Sequence, residues 1–131
     1  MSADLSVALD WLDAIARRDR DRLLALSSAD IVLHGPRGAA KGHEALARWF
    51  EAVQFRAVPK TAYARDRRLL VLHASQWRDA DGAPAGTAES ASVFTVAGGK
   101  VVGYHRNDRP DPLRQEGFRG ATELTLPEPT S

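Results

Sequence analysis

The residues of this chain that are best suited to chemistry are a basic and an acidic side chain near the end of a β-rich segment, Arg106 and Asp108. Because side chains alternate along a strand, residues that are two apart leave the same face. Asp108 would then act as a general base, and Arg106 would orient it or polarise a carbonyl group. The alternative is a salt-linked strand end near a cavity mouth, with no chemical role. We predict the two residues as the working pair of an acid–base site.

A β-hairpin over residues 86–108 is predicted to position this pair. Two β-rich runs flank Ala97-Gly98-Gly99, which suits a three-residue loop whose last glycine forms a left-handed bulge. Val96 would then face Lys100. One face of the hairpin changes from apolar at the turn to polar at the open end, and it carries Ser90, Ser92, Phe94, Val96, Val102, Tyr104, Arg106 and Asp108. Ser90, Ser92 and Tyr104 would supply hydrogen bonds to a ligand, or the face is an ordinary half-exposed sheet.

A third candidate for acid–base chemistry is His34, which ends a predicted strand over residues 31–34 beside Gly35. An imidazole in a dry cavity can be poised near neutral pH. Alternation points His34 away from Gly35, so it reaches the cavity only if a bulge intervenes. The chain has 4 histidines without helical pairing and 0 cysteines. We therefore predict no metal site and no thiolate chemistry.

Large apolar residues supply the predicted wall of the cavity. They are Trp11, Ile15, Leu33, Trp49, Phe50 and Phe94. Packing in an ordinary core is the alternative for each of them. Both interpretations hold if helices cover a curved sheet and leave a hollow. The ligand would be small and mostly apolar, with one or two polar groups.

The elements that must position these residues are helices followed by strands. Helices are predicted over residues 5–18, after the N-cap Asp19, and over about 44–53, because apolar residues recur there at helical spacing. Strands are predicted over residues 31–34, 61–65 and 69–78 and in the hairpin. Helices segregated from an antiparallel sheet define the α+β class. We assign residues 1–111 to one domain and residues 112–131 to a C-terminal arm, extended or partly disordered.

Composition limits the classes of partner. The formal net charge is +1, and the basic run between residues 17 and 22 is interleaved with acidic residues, so it predicts a solvated corner and no nucleic-acid surface. No apolar run reaches membrane-spanning length, and the N-terminus lacks a signal pattern. We therefore predict a cytoplasmic protein with no membrane partner.

Four segments occur in a distinctive order: the Arg-rich corner at 17–26, the strand end at 29–36, Lys41-Gly42-His43-Glu44-Ala45-Leu46, and the hairpin core at 93–102. Their order resembles the nuclear transport factor two-like superfamily, in its SnoaL-like and ketosteroid-isomerase-like branch. The resemblance covers residues 5–108. It implies a cystatin-like α+β barrel, in which a cone-shaped, curved antiparallel sheet packs against three N-terminal helices. It also implies a homodimer through the outer face of the sheet, near Ala91, Val93, Thr95 and His105.

The resemblance does not carry over the steroid-isomerase mechanism. The position of the catalytic aspartate in ketosteroid isomerases matches Gly35, which has no side chain. The position of their oxyanion-binding tyrosine matches Trp11, and that of their second oxyanion acid matches about Ser92.

We therefore predict a SnoaL-like cavity protein that binds a small, mostly apolar molecule. If it is catalytic, it would perform acid–base chemistry without a cofactor, such as isomerisation, cyclisation or hydration. The alternative is a non-catalytic ligand-binding or dimerisation module, which the glycine at position 35 favours.

Overall fold

The computed structural model describes residues 3–35, 38–52, 55–78, 84–107 and 111–126, so the predicted base Asp108 lies outside the described residues. The elements are α1 (Ala3–Ala16), α2 (Arg20–Ala25), β1 (Ser27–Gly35), β2 (Gly38–Lys41), α3 (His43–Ala52), β3 (Phe55–Arg65), β4 (Arg68–Arg78), β5 (Pro84–Ala97), β6 (Lys100–Asn107), α4 (Pro112–Gln115) and β7 (Thr122–Leu124). The helices followed by strands confirm the predicted α+β class.

The strands of the described chain form one curved sheet in the order β2-β1-β6-β5-β4-β3-β7. Neighbouring strands are antiparallel, except that β1 and β6 run parallel. We call the face that packs against α1 and α3 the inner face, and the opposite face the outer face. Within the described residues, no helix is long and apolar enough to cross a membrane.

Helices α1 and α3 cover the inner face because each has one apolar side. In α1 the apolar residues recur three and four apart, which places them on one stripe. The buried residues of this stripe are Leu5, Ala8, Trp11, Leu12, Ala14 and Ile15. Helix α3 buries Ala45, Leu46 and Phe50. This packing brings Trp11 against the middle of the sheet.

The β5–β6 hairpin closes with a shorter loop than the sequence predicts. Ala97 pairs with Lys100, so the loop contains only Gly98 and Gly99. Both glycines have positive φ, 60° and 76°, as in the type I′ turns of two-residue hairpins. The predicted three-residue loop is therefore wrong.

A β-bulge beside this turn decides which residues enter the core. Val96 pairs with Val101, but Thr95 pairs with Gly103, so Val102 is the extra residue on β6. Val101 is buried with Val96 in the inner core, whereas the sequence analysis gave that place to Val102.

Beyond the bulge the even-numbered side chains share the inner face, although their partners differ from the predicted ones. Phe94 pairs with Tyr104, and Ser92 pairs with Arg106. The sequence analysis paired Phe94 with Val102 and Ser92 with Tyr104. A difference of two residues leaves the face unchanged because side chains alternate with a period of two.

The C-terminal segment, residues 111–126, folds over the outer face. Asp111 caps α4 with its side chain, and the chain then returns to the sheet. Phe118 is only 1% exposed and packs with Leu70, Ala91 and Val93 in a second, smaller core.

This packing differs from the extended or partly disordered arm that the sequence predicts for residues 112–131, since the described part contains α4 and β7. The same packing covers part of the predicted dimer face. Ala91 and Val93 are buried by the protein's own chain, because Phe118 covers them.

Candidate functional site

The site is built on the inner face of three adjacent strands. Alternation along β4, β5 and β6, combined with their pairing, brings one row of side chains from each strand to this face. The row on β4 is Leu69, Val71, His73 and Ser75, the row on β5 is Ser90, Ser92, Phe94 and Val96, and Tyr104 follows on β6. All of these side chains are buried. The inner face is therefore apolar toward the hairpin turn and polar toward its open end.

An aromatic cluster fills the apolar part. The ring centroid of Trp11 lies 4.4 Å from that of Tyr104 and 5.6 Å from those of Phe94 and Trp49. The indole nitrogen of Trp11 donates a hydrogen bond to Ser27 Oγ at 2.9 Å. Because this bond satisfies the only polar atom of the indole, Trp11 can be completely buried at the centre of the cluster.

The polar part is a continuous chain of hydrogen bonds, which we call the polar chain: Tyr104, Ser92, His73, Ser75 and Ser90. The Tyr104 hydroxyl lies 2.9 Å from Ser92 Oγ, which lies 2.8 Å from His73 Nε2. On the other side of the ring, His73 Nδ1 lies 3.0 Å from Ser75 Oγ, and Ser75 donates to Ser90 at 3.3 Å. No member is more than 6% exposed.

The sequence analysis identified three members of the polar chain, Ser90, Ser92 and Tyr104, but missed His73 and Ser75. The signal that could have found them is the alternation of β4. Leu69 and Val71 are inward-facing apolar residues, so His73 and Ser75 continue the same face. The sequence analysis treated each histidine separately and did not extend the predicted cavity onto β4.

An open groove of about 1040 Å³ meets the inner face beside this cluster. Part of it is lined by Leu33 of β1, Ala45 and Trp49 of α3, and Tyr104 and Arg106 of β6. The rest is lined by residues of β2, of the outer face of the sheet and of the C-terminal segment, among them His34, Thr95, His105 and Glu116. Of the five members of the polar chain, only Tyr104 lines the groove. Tyr104 is therefore the residue that connects the groove to the polar chain.

Two of the predicted catalytic residues occupy different surroundings. Arg106 is exposed, lies opposite Ser92 and lines the groove. His34 also lines the groove, but it is exposed on the outer face, where its ring centroid lies 6.0 Å from that of His105. His105 in turn contacts the carboxylate of Glu116, with the closest approach at 2.6 Å. The sheet therefore separates His34 from the polar chain.

The predicted binding residues divide into groove and core. Leu33 and Trp49 line the groove, whereas Ile15 and Phe50 are packed in the core at 1% and 3% exposure. Phe50 is held by Arg18, whose guanidinium lies 4.1 Å from the ring centroid and donates to the Phe50 carbonyl oxygen at 3.0 Å. Packing in an ordinary core, the alternative weighed for each residue, is what the structure gives for Ile15 and Phe50.

Ion pairs tie α1 to α2 on the surface. Asp13 accepts hydrogen bonds from Arg22 at 2.8 Å and from Arg17 at 2.9 Å. Burial raises the pKa of Asp13, but the hydrogen bonds from the two arginines outweigh that effect and hold the pKa below its usual value. None of these residues lines the groove. The basic run therefore forms a solvated corner.

The chemistry available at the groove is that of hydroxyl, imidazole and guanidinium groups. The part of the chain that the structure describes contains no group of three or more His, Asp or Glu side chains placed to bind a metal ion. Within the same residues, every buried side-chain nitrogen and oxygen has a hydrogen-bond partner. A phenol hydroxyl such as that of Tyr104 can both donate and accept a hydrogen bond.

Comparison with known proteins places this geometry in a family. The sequence profile of the SnoaL-like domain matches residues 8–104. No curated protein matches the sequence significantly.

Solved structures share the fold at low sequence identity. A Mycobacterium tuberculosis protein, RV0760c, in complex with estradiol-17beta-hemisuccinate is 16% identical, with a TM-score of 0.71 over 85% of this chain and 97% of that one. A nuclear transport factor two-like protein of unknown function from Burkholderia pseudomallei is 21% identical, with a TM-score of 0.69 over 91% and 97%. A putative polyketide cyclase from Sinorhizobium meliloti is 21% identical, with a TM-score of 0.65 over 78% and 94%.

The profile spans helices α1 to α3 and the strands that carry the polar chain. The chain therefore belongs to the SnoaL-like domain family.

Proposed function

We propose that the protein binds a small, mostly apolar molecule in the groove and performs cofactor-free acid–base chemistry on it, such as isomerisation, cyclisation or hydration. The observation that carries this proposal is the position of Tyr104, which lines the groove beside the apolar side chains of Leu33, Ala45 and Trp49. An apolar patch next to a hydroxyl group suits a mostly apolar ligand that carries a polar group to be oriented. RV0760c, which shares the fold, is known in complex with estradiol-17beta-hemisuccinate, a mostly apolar steroid ester.

Tyr104 is the group that would contact the reacting oxygen, and Arg106 would stabilise negative charge on it. Tyr104 is fixed by its hydrogen bond to Ser92 and by its ring contact with Trp11. Arg106 lies farther out along the same strand and lines the groove. Asp108 stays a prediction as the base, since residues 106 and 108 would share a face if β6 continued.

Binding is tested by titrating the protein with estradiol-17beta-hemisuccinate and following tryptophan fluorescence. Trp49→Ala removes a groove wall, so we expect the Kd to rise roughly tenfold, about 1.4 kcal/mol. Tyr104→Phe keeps the ring and removes the hydroxyl, so we expect a rise of several-fold. Lys60→Ala is the matched control, because Lys60 pairs with Glu89 on the surface and does not line the groove.

A Kd that is unchanged in Trp49→Ala and Tyr104→Phe would refute binding in this groove. Turnover is tested separately, by incubating the protein with cyclisable polyketone and enone compounds and following the products. The loss of a measured turnover in Tyr104→Phe, with binding retained, would assign Tyr104 to the chemical step.

The second candidate is a non-catalytic binding or dimerisation module. The observation that favours it is the aromatic cluster, because Trp11, Phe94 and Tyr104 fill the interior and leave an open groove. A homodimer would use the part of the outer face that the C-terminal segment leaves accessible, around His34 and Thr95. Sedimentation over a range of concentrations tests it, and a monomer throughout would exclude the dimer.

A further inference from the structure

We propose that His73 accepts a proton from the ligand through Ser92 and Tyr104, and that the ligand carries an ionisable hydroxyl group, such as a phenol or an enol. This inference rests on the proposed function, which places the ligand beside Tyr104. His73 does not itself reach the groove, so it is a positioning residue that acts through Tyr104. The inference adds to the proposed function the chemical class of the ligand and the place where its proton is held.

The first support is the continuity of the polar chain. Each link between Tyr104, Ser92 and His73 is 2.8 or 2.9 Å long, within the range of good hydrogen bonds. A hydroxyl group can accept one proton while it donates another. Three groups in single file can therefore move a proton without any side-chain rearrangement.

The second support is the direction of the hydrogen bonds. Ser75 donates its hydroxyl proton to Ser90, and a serine has only one such proton. On this basis we assign Ser75 as the acceptor at its contact with His73 and Nδ1 of the ring as the donor, because the two contacts of the ring do not by themselves fix the tautomer. In a neutral imidazole the other nitrogen, Nε2, is then an acceptor. Ser92 donates to Nε2, and Tyr104 donates to Ser92, so the protons point from the groove toward His73.

The third support is that His73 is the only member of the polar chain with a basic nitrogen, since the other four members are hydroxyl groups. It is 1% exposed, and both ring nitrogens have hydroxyl partners that can accept from an imidazolium. A histidine with only a packing role would need partners for its two nitrogens and nothing more. Here the polar chain continues past Ser92 to Tyr104, which lines the groove.

The proton transfer balances without any additional reagent. The ligand hydroxyl gives its proton to the Tyr104 oxygen while the proton of Tyr104 passes to Ser92 and that of Ser92 passes to His73 Nε2. The ligand oxygen becomes an anion that accepts a hydrogen bond from Tyr104, and His73 becomes an imidazolium. The reverse transfer returns the proton to the ligand or to its product.

The direction of the hydrogen bonds in the polar chain is tested without a ligand, by nitrogen-15 NMR of histidine-labelled protein. The variant His73→Gln is used to assign the signals. We expect His73 to be protonated at Nδ1 and to accept at Nε2. We also expect Tyr104→Phe to shift the Nε2 signal, although Tyr104 does not touch the ring, because Ser92 loses a donor. A ring protonated at Nε2 would overturn the proposal, as would a signal that does not respond to Tyr104→Phe.

The ligand class is tested with para-nitrophenol, whose phenolate is coloured. At a pH where the free probe is mostly protonated, we expect the bound probe to show a phenolate-to-phenol ratio raised about tenfold. Ser92→Ala interrupts the chain, and His73→Gln keeps an amide near Nε2 but cannot accept the proton. Both variants should return the ratio to that of the free probe. Lys60→Ala is the control, because Lys60 pairs with Glu89 on the surface and belongs neither to the groove lining nor to the polar chain.

The outcomes distinguish this inference from the proposed function. If the probe binds but is not ionised, or is ionised equally in Ser92→Ala, the proton transfer is refuted and ligand binding stands. The steroid ester itself carries a phenol on its first ring, so the ligand class is tested by methylating that hydroxyl; if the methyl ether binds as tightly as the phenol, the ionisable ligand class is refuted. If neither the steroid ester nor para-nitrophenol binds, the proposed function itself fails, and the NMR result alone then decides whether the polar chain has the stated direction.

Discussion

Phe118→Ala is expected to detach the C-terminal segment from the outer face while the rest of the sheet remains folded. Phe118 is 1% exposed and packs on Leu70, Ala91 and Val93. The guanidinium of Arg68 also lies 5.0 Å from its ring centroid. The segment follows β6 in the order of elements, so its release leaves the connections among α1 to α3 and β1 to β6 intact.

The expected loss of stability in Phe118→Ala follows from the burial of the phenylalanine side chain. Transfer of a phenylalanine side chain from water to a protein interior contributes about 1.5–3 kcal/mol, and loss of the cation–π contact adds about 0.5–1 kcal/mol. A phenylalanine in a main core costs more, about 3–5 kcal/mol, because a cavity remains. Here the segment can detach instead of leaving a cavity, so we expect about 2–4 kcal/mol.

The assay is urea denaturation followed by circular dichroism, combined with hydrogen exchange. Wild type and Phe118→Ala are compared with Leu113→Ala, which removes a half-buried side chain from the same segment. We expect Leu113→Ala to cost about 1 kcal/mol. Exchange should increase in residues 111–126 and at Ala91 and Val93. A loss below about 0.5 kcal/mol, or unchanged exchange in the segment, would refute the packing argument.

Other contacts give smaller effects that can be measured in the same way. Asp13→Asn should destabilise the protein at neutral pH by less than about 1 kcal/mol, since the ion pairs of Asp13 with Arg22 and Arg17 are exposed. The folded-state pKa of Asp13 lies below the usual value of an aspartate. This stabilisation is therefore present above that usual pKa and is lost as the pH falls through the folded-state pKa, and added salt should also reduce it. Arg18→Ala should cost about 1–2 kcal/mol because it removes the ring contact and the hydrogen bond to Phe50, and an equally stable variant in urea would contradict this. Trp11→Phe should cost about 2 kcal/mol and lower the emission of the buried indole; an unchanged midpoint would contradict its central position.

The helices and the main strands could be predicted from the sequence because their patterns are local. Apolar residues three and four apart predict the buried side of α1, and that side is buried as expected. The alternation of β5 and β6 placed Ser92, Phe94 and Tyr104 on one face, and these residues do share the inner face. Local periodicity and burial agree wherever an element has one apolar side.

The parts that could not be predicted depend on contacts between distant residues. A two-residue loop followed by a bulge at Val102 leaves almost the same sequence pattern as a three-residue loop. Strand β2 is short, is exposed along its length and has no alternating pattern. Phe118 lies in a polar segment, and only the apolar surface of Ala91 and Val93 explains why it is buried.

The hydrogen-bonded connection between His73 and Tyr104 could not be predicted either, because it also depends on residues that are distant in the sequence. The two residues lie on different strands and touch only through Ser92. Their connection becomes predictable once the order of β4, β5 and β6 is known, because the inward-facing rows can then be aligned. A single strand, considered alone, gives no reason to prefer His73 to His34 as the acid–base group.

The parallel contact between β1 and β6 has a consequence for how the chain acquires its structure. Leu33 lies beside Tyr104, so β1 obtains this neighbour only after about seventy further residues have been made. Until then the edge of β1 that pairs with β6 has no partner strand, and the groove lacks the side that β6 provides. During synthesis on a ribosome, the N-terminal half would therefore wait for the C-terminal hairpin before it could close. Mutations that delay the hairpin should lengthen the exposure of β1 to aggregation and chaperones, even where they leave the final stability unchanged.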